Sequence, residues 1–81
     1  MDRVRVLDFF QQCINKESFQ YMGRNAIALF SECDGCYFIT QYEDECWESI
    51  YEDQIEAVYR LKPNEFLILD DCGQTSIVSF S

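Results

Sequence analysis

Residues 43–61 read Glu43-Asp-Glu-Cys-Trp-Glu-Ser-Ile-Tyr-Glu-Asp-Gln-Ile-Glu-Ala-Val-Tyr-Arg-Leu61, and their conformation decides how many strands the chain has. As a helix, Trp47, Ile50, Tyr51, Gln54, Ile55 and Val58 share one face. As a strand, Ile55, Ala57, Tyr59 and Leu61 alternate with Glu56, Val58 and Arg60. The residues that follow favour a split, with 46–53 as a helical turn or irregular strand and 55–61 as a strand. Lys62-Pro-Asn-Glu65 is a natural four-residue turn, because proline fixes φ. Phe66–Leu69 is a short apolar run, and a turn at 71–74 leads into a β-rich segment over 75–80. Three strands joined by short turns form a meander, the simplest topology.

Working back toward the N-terminus, Cys36–Tyr42 is rich in β-formers and follows Asp34-Gly35, the dipeptide preferred in two-residue type I′ turns. Residues 19–32 supply the partner strand, bent at Gly23, with its best part at 25–31. Residues 2–16 read as an amphipathic helix. Val6, Leu7, Phe10, Cys13 and Ile14 recur at spacings of three and four; Asp2 suits the N-cap and Lys16 the C-terminal end of the dipole. The expected fold is α+β, one N-terminal helix packed on an antiparallel sheet of four to five strands, in a single domain over residues 1–81.

The composition supports a folded core. Of 81 residues, 48% are hydrophobic and 16% aromatic, and large aromatic side chains let a small core bury enough area. No stretch reaches the ~18–20 apolar residues of a membrane span, and the first residues hold no signal-like apolar run. A cytoplasmic protein is expected, in the host cytoplasm if the source is viral. Five cysteines, an odd number, fit free thiols in a reducing compartment.

The net charge of −9 is not evenly spread. Nine carboxylates (Glu32, Asp34, Glu43, Asp44, Glu45, Glu48, Glu52, Asp53 and Glu56) fall in a window without Lys, Arg or His. Outside it, six acids balance six bases. Such a field speeds encounter with a basic surface and weakens with salt. It also makes direct nucleic-acid binding unfavourable, since no basic face exists to neutralise phosphates. Tyr42, Trp47, Tyr51 and Tyr59 are interleaved with the acids, and Trp and Tyr are enriched at interface hot spots. Of these, Trp47 is expected to be at least partly buried. A solvated acidic face kept for solubility accounts for the same charge. The carboxylate order lacks the alternation and central glycine of an EF-hand loop.

Cys33-Asp-Gly-Cys36 has a zinc-like spacing, which Cys46 and Cys72 would complete as a four-cysteine site. Only one such pair exists, however. Two cysteines flanking a two-residue hairpin turn are also simply cross-strand neighbours. Cys13 lies on the helical stripe and reads as core. The absence of His removes the usual general base, and no glycine-rich phosphate loop is present. No enzyme activity, cofactor or metal is therefore expected.

In size, acidity, lack of catalytic residues and helix-plus-sheet pattern, the chain resembles small acidic inhibitors from phages and mobile elements. DNA-mimicking uracil-DNA glycosylase inhibitors and anti-CRISPR proteins are of this kind. The resemblance implies an inhibitor that binds the basic surface of a nucleic-acid-processing host or defence protein. Its expected contact residues are Glu43, Asp44, Glu45, Glu48, Glu52, Asp53 and Glu56, with Tyr51 as an aromatic anchor. The alternatives are an adaptor that dimerises through an open sheet edge, for which the C-terminal strand is the candidate, and a small zinc-stabilised module.

Overall fold

Eight strands form one antiparallel sheet in the computed structural model, which describes residues 2–80. They are β1 (Asp2–Val4), β2 (Phe19–Tyr21), β3 (Arg24–Ser31), β4 (Gly35–Glu43), β5 (Cys46–Tyr51), β6 (Ile55–Lys62), β7 (Glu65–Asp70) and β8 (Thr75–Ser79). The only helix among the described residues longer than one turn is α1 (Val6–Ile14), and a 3-10 turn (Glu52–Gln54) joins β5 to β6. With 61% of the described residues in strands, the expected helix on a four- to five-stranded sheet is overturned.

Three local readings account for the extra strands. First, residues 2–4 are not the start of the helix. Asp2, Arg3 and Val4 pair with Arg60, Tyr59 and Val58, so Asp2 is a strand residue, and the position before α1 is Arg5, which makes no side-chain cap. Second, residues 19–32 are two strands rather than one bent strand. Met22 and Gly23 both have positive φ (51° and 80°) and close a two-residue turn that pairs Tyr21 with Arg24. This is the backbone of a type I′ hairpin. Third, Cys46–Tyr51 is a full strand: Trp47–Tyr51 pair with Gln41–Tyr37 of β4, and Cys46 pairs with Glu43 across a register shift at Tyr42. Its Trp, Ile and Tyr suit a pleated surface better than a single helical turn.

The Asp34-Gly35 turn also differs from expectation. Ser31 pairs with Gly35, leaving a three-residue loop, and Gly35 takes the left-handed conformation at φ 75°. Such loops place glycine at the bulge position after a type I turn. Cys36 consequently pairs with Phe30, while Cys33 lies in the loop, so the two cysteines are not cross-strand neighbours.

The strand order is β1-β6-β7-β8-β2-β3-β4-β5. The C-terminal strand β8 is therefore internal, between β7 and β2; the edges are β1 and β5. Six interstrand steps separate β5 from β6, about 29 Å across a flat sheet. The 3-10 turn between them bridges at most about 14 Å. The sheet must therefore curl until β5 and β6 approach at that corner, and overall extents of 35 × 27 × 27 Å agree. No ladder joins β5 to β1 or β6 among the described residues, so the curl stays open along β5.

Helix α1 fills the concave side. Phe9, Phe10 and Cys13 are buried there, while Leu7 is 55% exposed, so the buried stripe is rotated from the expected one to include Phe9. The rings interlock edge-on, with Phe9 on Phe66, Phe19 on Phe38 and Phe19 on Phe80 at centroid distances of 5.4–5.9 Å. Such geometry adds roughly 0.5–1.5 kcal/mol per pair beyond area burial. Thr40, the one buried polar residue among those described, donates its hydroxyl to the Asn25 carbonyl at 3.0 Å. Burial pushes the Cys13 thiol up to about 12. No helix among the described residues is long and apolar enough to cross a membrane.

Candidate binding face

Alternation along β3, β4 and β5 builds two different surfaces from the same three strands. Cys36, Phe38 and Thr40 face the helix and are buried. Tyr37, Ile39 and Gln41 therefore face outward. Their register neighbours are Leu29 and Tyr51 for Tyr37, Ile27 and Ser49 for Ile39, and Trp47 for Gln41. The outer face of this corner thus carries Ile27, Leu29, Tyr37, Ile39, Trp47 and Tyr51. Trp47 is 66% exposed, contrary to the burial expected for it, and Ile27 is 45% exposed. Tyr51 is half-buried against Tyr37 at 5.2 Å between centroids.

A groove of about 550 Å³ opens here, lined by Ile27, Ile39 and Trp47 together with Gln41, Tyr42, Glu43 and Asp44. Arg24 is the one base lining it. Its guanidinium lies over the rings of Tyr21 and Tyr42, 5.5 and 5.3 Å from their centroids, and meets the Glu48 carboxylate at 3.1 Å. The Arg24 Nε is buried without a hydrogen-bond partner, so the side chain is fixed by stacking and by Glu48.

The acids expected to make contact do not form one continuous row. Glu43, Asp44 and Glu45 sit at the β4–β5 turn and are exposed. Glu52 and Asp53 lie past the other end of β5, about 17 Å away along a six-residue strand. Exposed Glu56 follows at the start of β6. Two of the expected contacts are already engaged within the molecule. Glu48 pairs with Arg24, and Glu52 Oε1 accepts the Cys36 N–H at 3.3 Å. A Cβ at Gly35 would strike the same Glu52 carboxylate, so this residue ties the β3–β4 loop to the 3-10 turn. Glu43, Asp44, Glu45, Asp53 and Glu56 make no ion pair or side-chain hydrogen bond among the described residues.

Glu45 has φ 65°, a left-handed conformation that ordinarily selects glycine or asparagine. The hairpin therefore holds a carboxylate where glycine would be more stable.

The cysteines do not gather. Cys33 is in the β3–β4 loop, Cys36 faces the core, Cys46 starts β5 and Cys72 lies in the β7–β8 turn. No group combining these four is found among the described residues; Asp70, Asp71 and Cys72 alone come within 4.8 Å of one another. Asp70 Oδ1 already accepts the N–H groups of Cys72 and Gln74 at 2.9 and 2.8 Å, so it organises the turn. Asp71 and then Asp70 push the Cys72 thiol pKa upward.

Ile27, Ile39 and Trp47 were missing from the sequence-level site. The signal was present: reading 46–51 as a strand places all three on one face by alternation. Comparison with family models, with curated proteins and with solved structures finds no match for this chain.

Proposed function

We propose that this chain is a non-catalytic binding module whose outer β3–β5 face engages a protein with a basic surface. The observation that carries the reading is Trp47. It stands exposed beside an open groove of mixed lining that includes Ile27 and Ile39, next to three unpaired carboxylates, and the one base lining that groove is already bound to Glu48. An apolar centre with a charged rim is the usual anatomy of a protein–protein interface. A cation from the partner placed over the indole would gain both cation–π attraction and the Glu43–Asp44 field. The acid rim steers encounter and selects against acidic partners. Nucleic-acid-binding proteins carry basic surfaces of this type. Occupying one would inhibit it, which is the form of the function that the charge and size favour. Pure phosphate mimicry would need a row of acids without an apolar centre, so the groove directs the reading to mixed apolar and ionic contact.

Capture from an extract of the source's cells, or of its host's, tests this. The immobilised protein is expected to retain a basic protein that elutes as salt rises and is displaced by heparin. Trp47→Ser alone, and Glu43→Lys with Asp44→Lys and Glu45→Lys together, are each expected to abolish retention without unfolding the chain. Retention of the same protein by both variants would exclude this face.

A further inference from the structure

We propose that the open edge of β5 takes an extended basic segment of the partner as an added strand. This rests on reading the β3–β5 face as a protein-binding surface and specifies how the partner's backbone is held. Three observations carry it. The first is the edge itself: β5 pairs with β4 and with nothing else among the described residues. The Tyr51 N–H turns away from β4 to the Gln54 side chain at 3.0 Å. Because antiparallel ladders alternate, the peptide groups of Ser49 and Trp47 also point outward. The Gln54 amide closes the edge at its Tyr51 end, leaving Trp47 and Ser49 as the open positions.

The second observation is the coincidence of edge and groove. Trp47 offers its backbone to an added strand and its indole to the groove. In strand addition, main-chain bonds give affinity and alternate side chains give specificity. A strand on this edge would bring alternate side chains level with Trp47, within reach of Glu43 and Asp44.

The third is charge, which selects the occupant. Acids lie at both ends of β5: Glu43, Asp44 and Glu45 at one, Glu52 and Asp53 at the other. A second copy pairing edge to edge, parallel or antiparallel, sets acid against acid, a destabilising arrangement for facing strands. The β1 edge of a second copy offers Arg3, but only three residues of strand, and it brings a net charge of −9 with it. A segment alternating Lys or Arg with β-branched residues meets neither obstacle. The acids thus keep the edge from self-pairing, a recognised means of protecting exposed strands, and admit a basic strand.

The test uses the whole chain and a synthetic peptide alternating Lys with Val, followed by amide hydrogen exchange and titration. Binding is expected to slow exchange at Trp47 and Ser49 selectively, and a Glu/Val peptide is expected not to bind. Ser49→Pro removes an outward N–H at a position where edge strands tolerate proline. It is expected to weaken binding several-fold, up to about tenfold, as loss of one interfacial hydrogen bond would. Methylating alternate peptide nitrogens should do the same with the protein unaltered. Absence of binding, or binding with unchanged exchange at Trp47 and Ser49 and full tolerance of peptide methylation, would overturn the added strand. A dimer protecting the same two amides would overturn it in favour of a second copy. If the captured natural partner is lost with Trp47→Ser but kept with Ser49→Pro, strand addition fails while the binding face stands.

Discussion

Phe38 and Trp47 are large aromatic residues on adjacent strands, and the pleat sends them to opposite sides of the sheet. Phe38 is fully buried between Phe10, Phe19 and Tyr21, while Trp47 stands two-thirds exposed beside the acidic turn. The concave face is closed by α1; nothing among the described residues closes the convex face at this corner. Composition alone does not separate the two faces. The difference lies in what each is given to pack against, so the two sides should respond differently to the same kind of change.

The largest effect belongs to the concave side. Phe38→Ala is expected to cost about 3–5 kcal/mol, a large share of the roughly 5–15 kcal/mol that holds a small domain together. Urea denaturation would show it as a fall in midpoint. Trp47→Ser should change the unfolding free energy by no more than about 0.5 kcal/mol, as for other exposed positions. A comparable loss in both variants would erase the contrast between the faces.

Next in size is the Asp70 turn. Asp70→Ala removes the carboxylate that accepts two backbone N–H groups and is expected to cost about 1–2 kcal/mol by the same measurement. At the β4–β5 turn the sign reverses. Glu45→Gly relieves a left-handed non-glycine residue and is expected to stabilise by about 0.5–1 kcal/mol, while weakening binding to a basic partner. Stabilisation without loss of binding would show that the carboxylate is incidental.

Cysteine chemistry sharpens the same contrast. Cys33, Cys46 and Cys72 are exposed, whereas Cys13 and Cys36 face the core and burial raises both their pKa values. Mass spectrometry after brief alkylation at mild pH is expected to find Cys33 and Cys46 modified first. Cys72 should lag because Asp71 and Asp70 hold its thiol protonated, and Cys13 and Cys36 should remain unmodified. The folded chain keeps Cys13 neutral up to about pH 12, whereas the unfolded chain ionises it near pH 9. The unfolded state therefore loses its proton first, and this contribution to stability is full below pH 9 and declines as pH rises toward 12.

Parts of the fold were legible in the sequence, the contrast between the faces was not, and both outcomes have physical causes. The β3–β4 hairpin, the β6–β8 meander, the core-facing helix and the acidic window all follow from period and composition. The number of strands did not. Asp2–Val4 is too short to show a period, and its strand character comes from pairing with Val58–Arg60, far along the chain. Met22-Gly23 looked like a bend because methionine is not a usual type I′ residue. Cys46–Tyr51 alternates weakly, because as an edge strand it packs only Ile50 against the core. That weak alternation hid the site: without β5 as a strand, Trp47 could not be aligned with Ile39 and Ile27. The engagement of Glu48 by Arg24 and of Glu52 by Cys36 is long-range and left no local signal.

The proposed function places binding on the convex β3–β5 face rather than in diffuse acidity. The most direct measurement is the dissociation constant of the Lys/Val peptide for the unaltered chain, for Trp47→Ser and for Leu7→Ser, at low and high salt. Leu7 is similarly apolar and exposed but lies on α1. Binding should weaken about tenfold or more with Trp47→Ser, stay unchanged with Leu7→Ser, and weaken with salt in every case. Equal affinities for the two variants would contradict the account and leave the acidic segment as a solvated surface.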